Sequence, residues 1–131
     1  MARLRGFGDR AVEKMRILLL DDEVRGENAA RALRSLSYLA QHNVERKLAN
    51  LALAMKLVER GDQETRSVAV HALVHGFSVL NRMLSVGGVE SIRTGMPSWS
   101  EVRNALIKAL ELGLNEEQSV LAKEVLRTSP K

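Results

Sequence analysis

Between Glu27 and Arg60 the chain contains neither proline nor glycine, and small or apolar residues recur at Ala29, Leu33, Leu36, Ala40, Val44, Leu48, Leu51, Met55 and Val58. Spacings of three and four hold one face of an α-helix and do not fit a strand, whose faces alternate at every residue. As one continuous helix of about 34 residues, the segment is a rod about 50 Å long at about 1.5 Å per residue. Gln41, His42 and Asn43 offer a place to break it into two. At about 100° per residue, Arg31, Arg34, Tyr38, Lys56 and Arg60 fall opposite the apolar stripe, with Arg46 on its flank. The segment thus predicts a long amphipathic helix with a basic ridge.

The rest of the chain also reads as helical. Asp9 is an acceptable cap for a first helix running through Val12, Met15, Ile17, Leu18 and Leu19. Residues 1–8 then form a basic arm carrying Arg3 and Arg5, with Gly6 and Gly8 as flexible joints, ahead of one helical domain over 9–131. Asp21, Asp22 and Glu23 suit a helix N-terminus better than a C-terminus, which places a boundary near Leu20 to Asp22. Gly61 followed by Asp62 reads as a stop and restart. Residues 64–86 are apolar around most of a helix's circumference and call for neighbours on several sides. Gly87, Gly88, Gly95 and Pro97 mark loop. Ser98 with Glu101, and Asn115 with Gln118, are the capping signatures of two more helices, which Gly113 separates. No stretch sustains the alternation of a strand. The fold class is therefore all-α, with about five to six helices in an extended subunit.

Composition narrows the function classes. With no cysteine, disulfide scaffolds and thiol-ligated metals are excluded. No apolar run approaches the roughly 18 residues of a membrane span, and no apolar stretch follows Met1 closely enough to predict a cleaved signal. Twenty basic residues against 16 acidic ones give +4, with arginine in excess of lysine. This mild surplus suits an anionic partner.

Catalytic patterns are missing. Gly6-Phe7-Gly8 lacks the third glycine and the preceding strand of a dinucleotide loop, no Gly-Lys-Ser or Gly-Lys-Thr phosphate loop occurs, and no serine sits in a Gly-x-Ser-x-Gly elbow. His71 and His75 share a helix face, but Ala72 stands where a metalloprotease has its glutamate. The pair reads as core or interface imidazoles, and no metal or other cofactor is expected. Arg16 to Glu23 resembles the first strand and acidic pocket of receiver domains in two-component signalling. Asp62, however, lies at a helix junction and Lys108 inside a helical pattern. The only large aromatics besides two phenylalanines are Trp99 and Tyr38. That is sparse for stacking single-stranded bases, whereas duplex phosphates need only arginine, lysine, helix N-termini and small polar groups.

Residues 48–58 and 68–86 are apolar on nearly every side, so apolar flanks are expected to be left for a neighbouring subunit. A basic arm at Met1 to Arg10, a long helix from Glu27 to Arg60 and a helical remainder together resemble the coat proteins of filamentous archaeal viruses. The resemblance covers most of the chain in architecture and composition, without a diagnostic motif. It implies a mainly helical subunit that assembles with copies or paralogues of itself, wraps double-stranded DNA in A form and resides in the virion. An arginine-rich, glutamine-poor, cysteine-free composition accords with a thermophilic source. Duplex DNA presents a charge every ~1.7 Å of axis, so a subunit of +4 offsets only a few phosphates.

The expected function is therefore non-enzymatic: self-assembly and nonspecific duplex binding, with Arg3, Arg5, Arg10, Arg31, Arg34, Arg46, Lys56 and Arg60 on phosphates and Tyr38 bonding sugar or phosphate. The alternatives are a cytoplasmic helical adaptor that binds a partner protein without nucleic acid and, third, a receiver-like signalling domain.

Overall fold

The computed structural model describes residues 2–21, 26–40, 44–59, 62–85 and 94–128, with side chains from Arg10 onward and that of Ser85 excepted. Six helices carry the described fold: α1 (Ala2–Leu20), α2 (Gly26–Leu39), α3 (Val44–Leu57), α4 (Gln63–Ser85), α5 (Trp99–Leu112) and α6 (Glu116–Thr128). No strand occurs among the described residues, so the all-α class stands. Arg16 to Leu20, the run that resembles a receiver strand, forms the last turns of α1.

The continuous rod does not form. Asn50 of α3 donates its side-chain amide to the Leu36 carbonyl of α2 at 2.9 Å. In a straight helix, residues fourteen apart are separated by about 21 Å. The segment therefore folds back on itself, and Arg46 extends the junction by donating to the Leu39 carbonyl at 3.1 Å. His42 and its neighbours lie outside the described residues. The physical reason for the fold-back is burial: both apolar stripes pack against α4, which a rod could offer to only one of them. Asn50 also accepts two bonds from the Arg16 guanidinium, at 3.3 and 3.2 Å, and so ties α1, α2 and α3 together.

At the centre, α4 packs against α2, α3, α5 and α6, and α1 packs against α2 and α3. This accounts for the apolar circumference of α4: Ala69, Val70, Leu73 and Leu80 are fully buried, meeting Leu51, Leu57, Val102 and Leu106 in one core. Much of the apolar surface that the sequence assigns to a neighbouring subunit is thereby enclosed within the chain. The exposed large apolar side chains among the described residues, Ile17, Leu39, Leu112 and Val120, are distributed over α1, α2, α5 and α6.

The caps set the remaining boundaries. Ser98 Oγ accepts from the Glu101 amide at 3.2 Å and Glu101 returns a bond to the Ser98 amide at 3.1 Å, the reciprocal box read from the sequence. Ser98→Ala is expected to cost about 1 kcal/mol, measurable as a lower urea midpoint at unchanged slope. Beyond α5, Gly113 adopts φ +109°, a conformation that side chains with a Cβ resist. Arg66 of α4 donates to the carbonyls of Gly113 and Leu112 at 3.1 and 3.0 Å, satisfying acceptors at the end of α5. Asn115 accepts from the Gln118 amide at 2.9 Å and opens α6 as expected. At the other end of the chain, α1 starts at Ala2, ahead of the Asp9 start read from the sequence, so the arm over 2–8 is helical.

Candidate anion-binding cleft

The fold-back of α2 and α3 onto α4 leaves an open cleft of about 400 Å³ between the three helices. From α2 it is lined by Arg34 and Tyr38, from α3 by Lys47 and Asn50, and from α4 by His71 and His75. Each position follows from helical spacing: Arg34 and Tyr38 are one turn apart, as are His71 and His75, so each pair shares a face. The two imidazoles stand parallel, with ring centres 6.1 Å apart and planes within 2°.

The electrostatics are one-sided. Among the described residues no aspartate or glutamate lines the cleft. Arg34 and Lys47 make no hydrogen bond or ion pair with another described residue, in contrast to Arg31, which pairs with Glu27 at 2.8 Å, and Arg16, which pairs with Glu13 at 3.5 Å. Cations gathered without counter-charge repel one another, and an anion placed among them relieves that repulsion. Asn50, by contrast, is committed: its oxygen holds Arg16 and its nitrogen holds the Leu36 carbonyl.

The phosphate-contact residues expected from the sequence separate into groups. Arg34 and Tyr38 reach the cleft, Tyr38 with 70% of its surface exposed. Arg31 is exposed on the preceding turn of α2 but paired with Glu27. Arg46 is half-buried and directed to the Leu39 carbonyl, so it serves the α2–α3 junction. Lys56 is exposed in the last turn of α3 and does not line the cleft, and Arg10 is exposed on α1. Arg3 and Arg5 belong to α1, and their side chains lie outside the described residues, as does Arg60 altogether. The basic ridge is therefore not one continuous line, because it required α2 and α3 to be collinear.

Sequence reasoning misses Lys47, whose place in the cleft exists only once the hairpin has formed. It notes His71 and His75 for their spacing but expects them in the core or an interface, whereas both are exposed at the cleft. The available signal was that a helix otherwise apolar over most of its length carries its two imidazoles on one face. Asp62, the nearest equivalent of a receiver's phosphoacceptor, accepts the backbone amides of Thr65 at 2.7 Å and Gly26 at 3.0 Å, so it acts here as a cap. Among the described residues no cluster of three or more histidine, aspartate or glutamate side chains is placed to hold a metal ion. No described helix is long and apolar enough to cross a membrane.

No family model, curated protein or solved structure matches the chain.

Proposed function

We propose that the protein is a non-enzymatic polyanion binder that grips the phosphates of double-stranded DNA without regard to sequence. The observation that carries this reading is that, among the described residues, the cleft lining holds no acid and Arg34 and Lys47 stand without ion-pair partners beside His71 and His75. Tyr38 at the mouth adds a hydroxyl that can bond sugar or phosphate oxygen. Arg10 and Lys56 are further exposed cations that a long duplex can meet outside the cleft. Sparse aromatic content supports a duplex over a single strand, because base stacking needs several rings.

The coat-protein role belongs to the same proposal. Its support is the all-helical fold together with the arginine-rich composition, and a row of such subunits along DNA would repeat the same phosphate contacts. Self-association would use the exposed Ile17, Leu39, Leu112 and Val120 as its apolar contacts.

Fluorescence anisotropy with a random-sequence duplex tests the reading. About four phosphate contacts predict a roughly 100-fold loss of affinity between about 50 and about 200 mM salt. Replacing Arg34 and Lys47 together with glutamine is expected to flatten the salt slope by close to two contacts. Absence of binding at the lower salt concentration refutes the proposal, and a salt-independent affinity refutes the phosphate mechanism.

A further inference from the structure

Beneath its cationic rim the cleft has a floor that a duplex does not use. Leu33 and Leu51 are buried there, and Val68 and Val79 are half-buried beside them. DNA phosphates lie on the outside of a wide, rigid rod and carry no hydrocarbon that would fill the space between three helices. A ligand complementary to both layers joins one anionic group to an apolar body, and about 400 Å³ lies within the range of small-molecule sites.

The floor also identifies the kind of body. A nucleobase is read through paired donors and acceptors on its edge. Asn50 offers no free acceptor there, its oxygen holding Arg16 and one of its two N–H groups the Leu36 carbonyl, while the Ser37 hydroxyl is exposed on α2 away from the buried floor. A flat aromatic needs a stacking surface, yet among the described residues Tyr38 is the one aromatic ring of the cleft apart from the imidazoles, and it stands largely in solvent. What remains is aliphatic chain against aliphatic side chains. We propose that the cleft binds a single-chain aliphatic carboxylate, with its hydrocarbon on Leu33, Leu51, Val68 and Val79 and its carboxylate among Arg34, Lys47, His71 and His75. The inference stands apart from duplex binding, since it rests on the floor as well as the rim. The two ligands share Arg34 and Lys47 and would compete.

The test uses the full chain without DNA, titrated with monomeric decanoate, hexanoate, decanol and acetate, each kept below the concentration at which it self-associates. Calorimetry reads affinity and proton NMR reads the His71 and His75 ring resonances. Decanoate is expected to bind and to shift both imidazoles. Affinity should rise from hexanoate to decanoate by up to about fourfold per methylene, with acetate weaker than either. Decanol should bind at least about tenfold more weakly than decanoate, and the Arg34→Gln, Lys47→Gln double variant should lose at least tenfold for decanoate while keeping its decanol affinity. Both substituted residues lie outside the buried core, so the fold is retained, which circular dichroism verifies. The proposal is overturned if millimolar decanoate leaves both imidazoles unmoved, if decanol binds as tightly as decanoate, or if the double variant binds decanoate unchanged.

Discussion

Asp62→Ala is expected to lower the stability of the fold by about 3 kcal/mol. One carboxylate oxygen of Asp62 accepts the Thr65 amide at 2.7 Å and caps α4; the other accepts the amide of Gly26, the first residue of α2, at 3.0 Å. A lost cap costs about 1 kcal/mol, and a lost hydrogen bond to a charged group about 1.5–3 kcal/mol. The two losses add because one side chain removes both. Gly26 has φ +58°, so the amide that Asp62 holds belongs to a residue whose backbone conformation side chains with a Cβ rarely adopt. With a urea slope of about 2 kcal/mol per molar, the unfolding midpoint should fall by about 1.5 M. Asp62→Asn keeps a capping oxygen and should lose roughly half as much. A fall of less than about 0.5 M for the alanine variant would show that the bond to Gly26 contributes nothing.

The second large effect is expected at Asn50, whose replacement by alanine should cost about 2 kcal/mol. Three hydrogen bonds converge on this side chain from α1 and α2. Each is worth about 1 kcal/mol net, with some of the loss recovered elsewhere. The Leu36 carbonyl keeps the Ala40 amide at 3.1 Å, and Arg16 keeps Glu13 at 3.5 Å. The effect has a local consequence as well. Amide exchange in α2 and in the first turns of α3 should accelerate more than exchange at Leu73 or Leu106 in the core, because Asn50 fastens the fold-back and not the centre of α4. Uniform acceleration across all helices would mean that Asn50 stabilises the bundle as a whole without specifically closing the hairpin.

Both residues bear on the cleft. Asn50 lines it directly, and Asp62 sets the start of α2 relative to α4, the two helices that carry Arg34, Tyr38, His71 and His75. The Asn50 variant is therefore expected to weaken ligand binding beyond what the charge of the cleft explains, since the α2 and α3 walls are no longer joined.

The helical segments after the hairpin and most of their caps were legible in the chain because they depend on interactions a few residues apart, whereas the start of α1 at Ala2 and the fold-back between α2 and α3 were not. The Ser98–Glu101 box, the Asn115 cap and the Gly113 stop each act within one turn. The candidate site was legible only in part. Arg34 and Tyr38 were readable as outward residues of one helix face, but their meeting with Lys47, His71 and His75 joins three helices. Arg46 lay on the flank of the expected ridge, yet its guanidinium turns to the Leu39 carbonyl across the junction.

By itself the sequence determined an all-helical chain, a cationic surplus with few aromatics, and a central segment, α4, that demands neighbours around its circumference. Tertiary structure alone decided that the apolar stripes of α2 and α3 both reach α4 by folding back, and that a cleft with cationic walls opens where they meet it. Periodicity specifies which face of a helix is buried, but not which neighbour buries it. A rod and a hairpin share the same stripe and the same hydrogen bonds within α2 and within α3. The hairpin gives up backbone bonds at the junction, where Arg46 caps the Leu39 carbonyl, and gains the apolar area that packing on α4 removes from water.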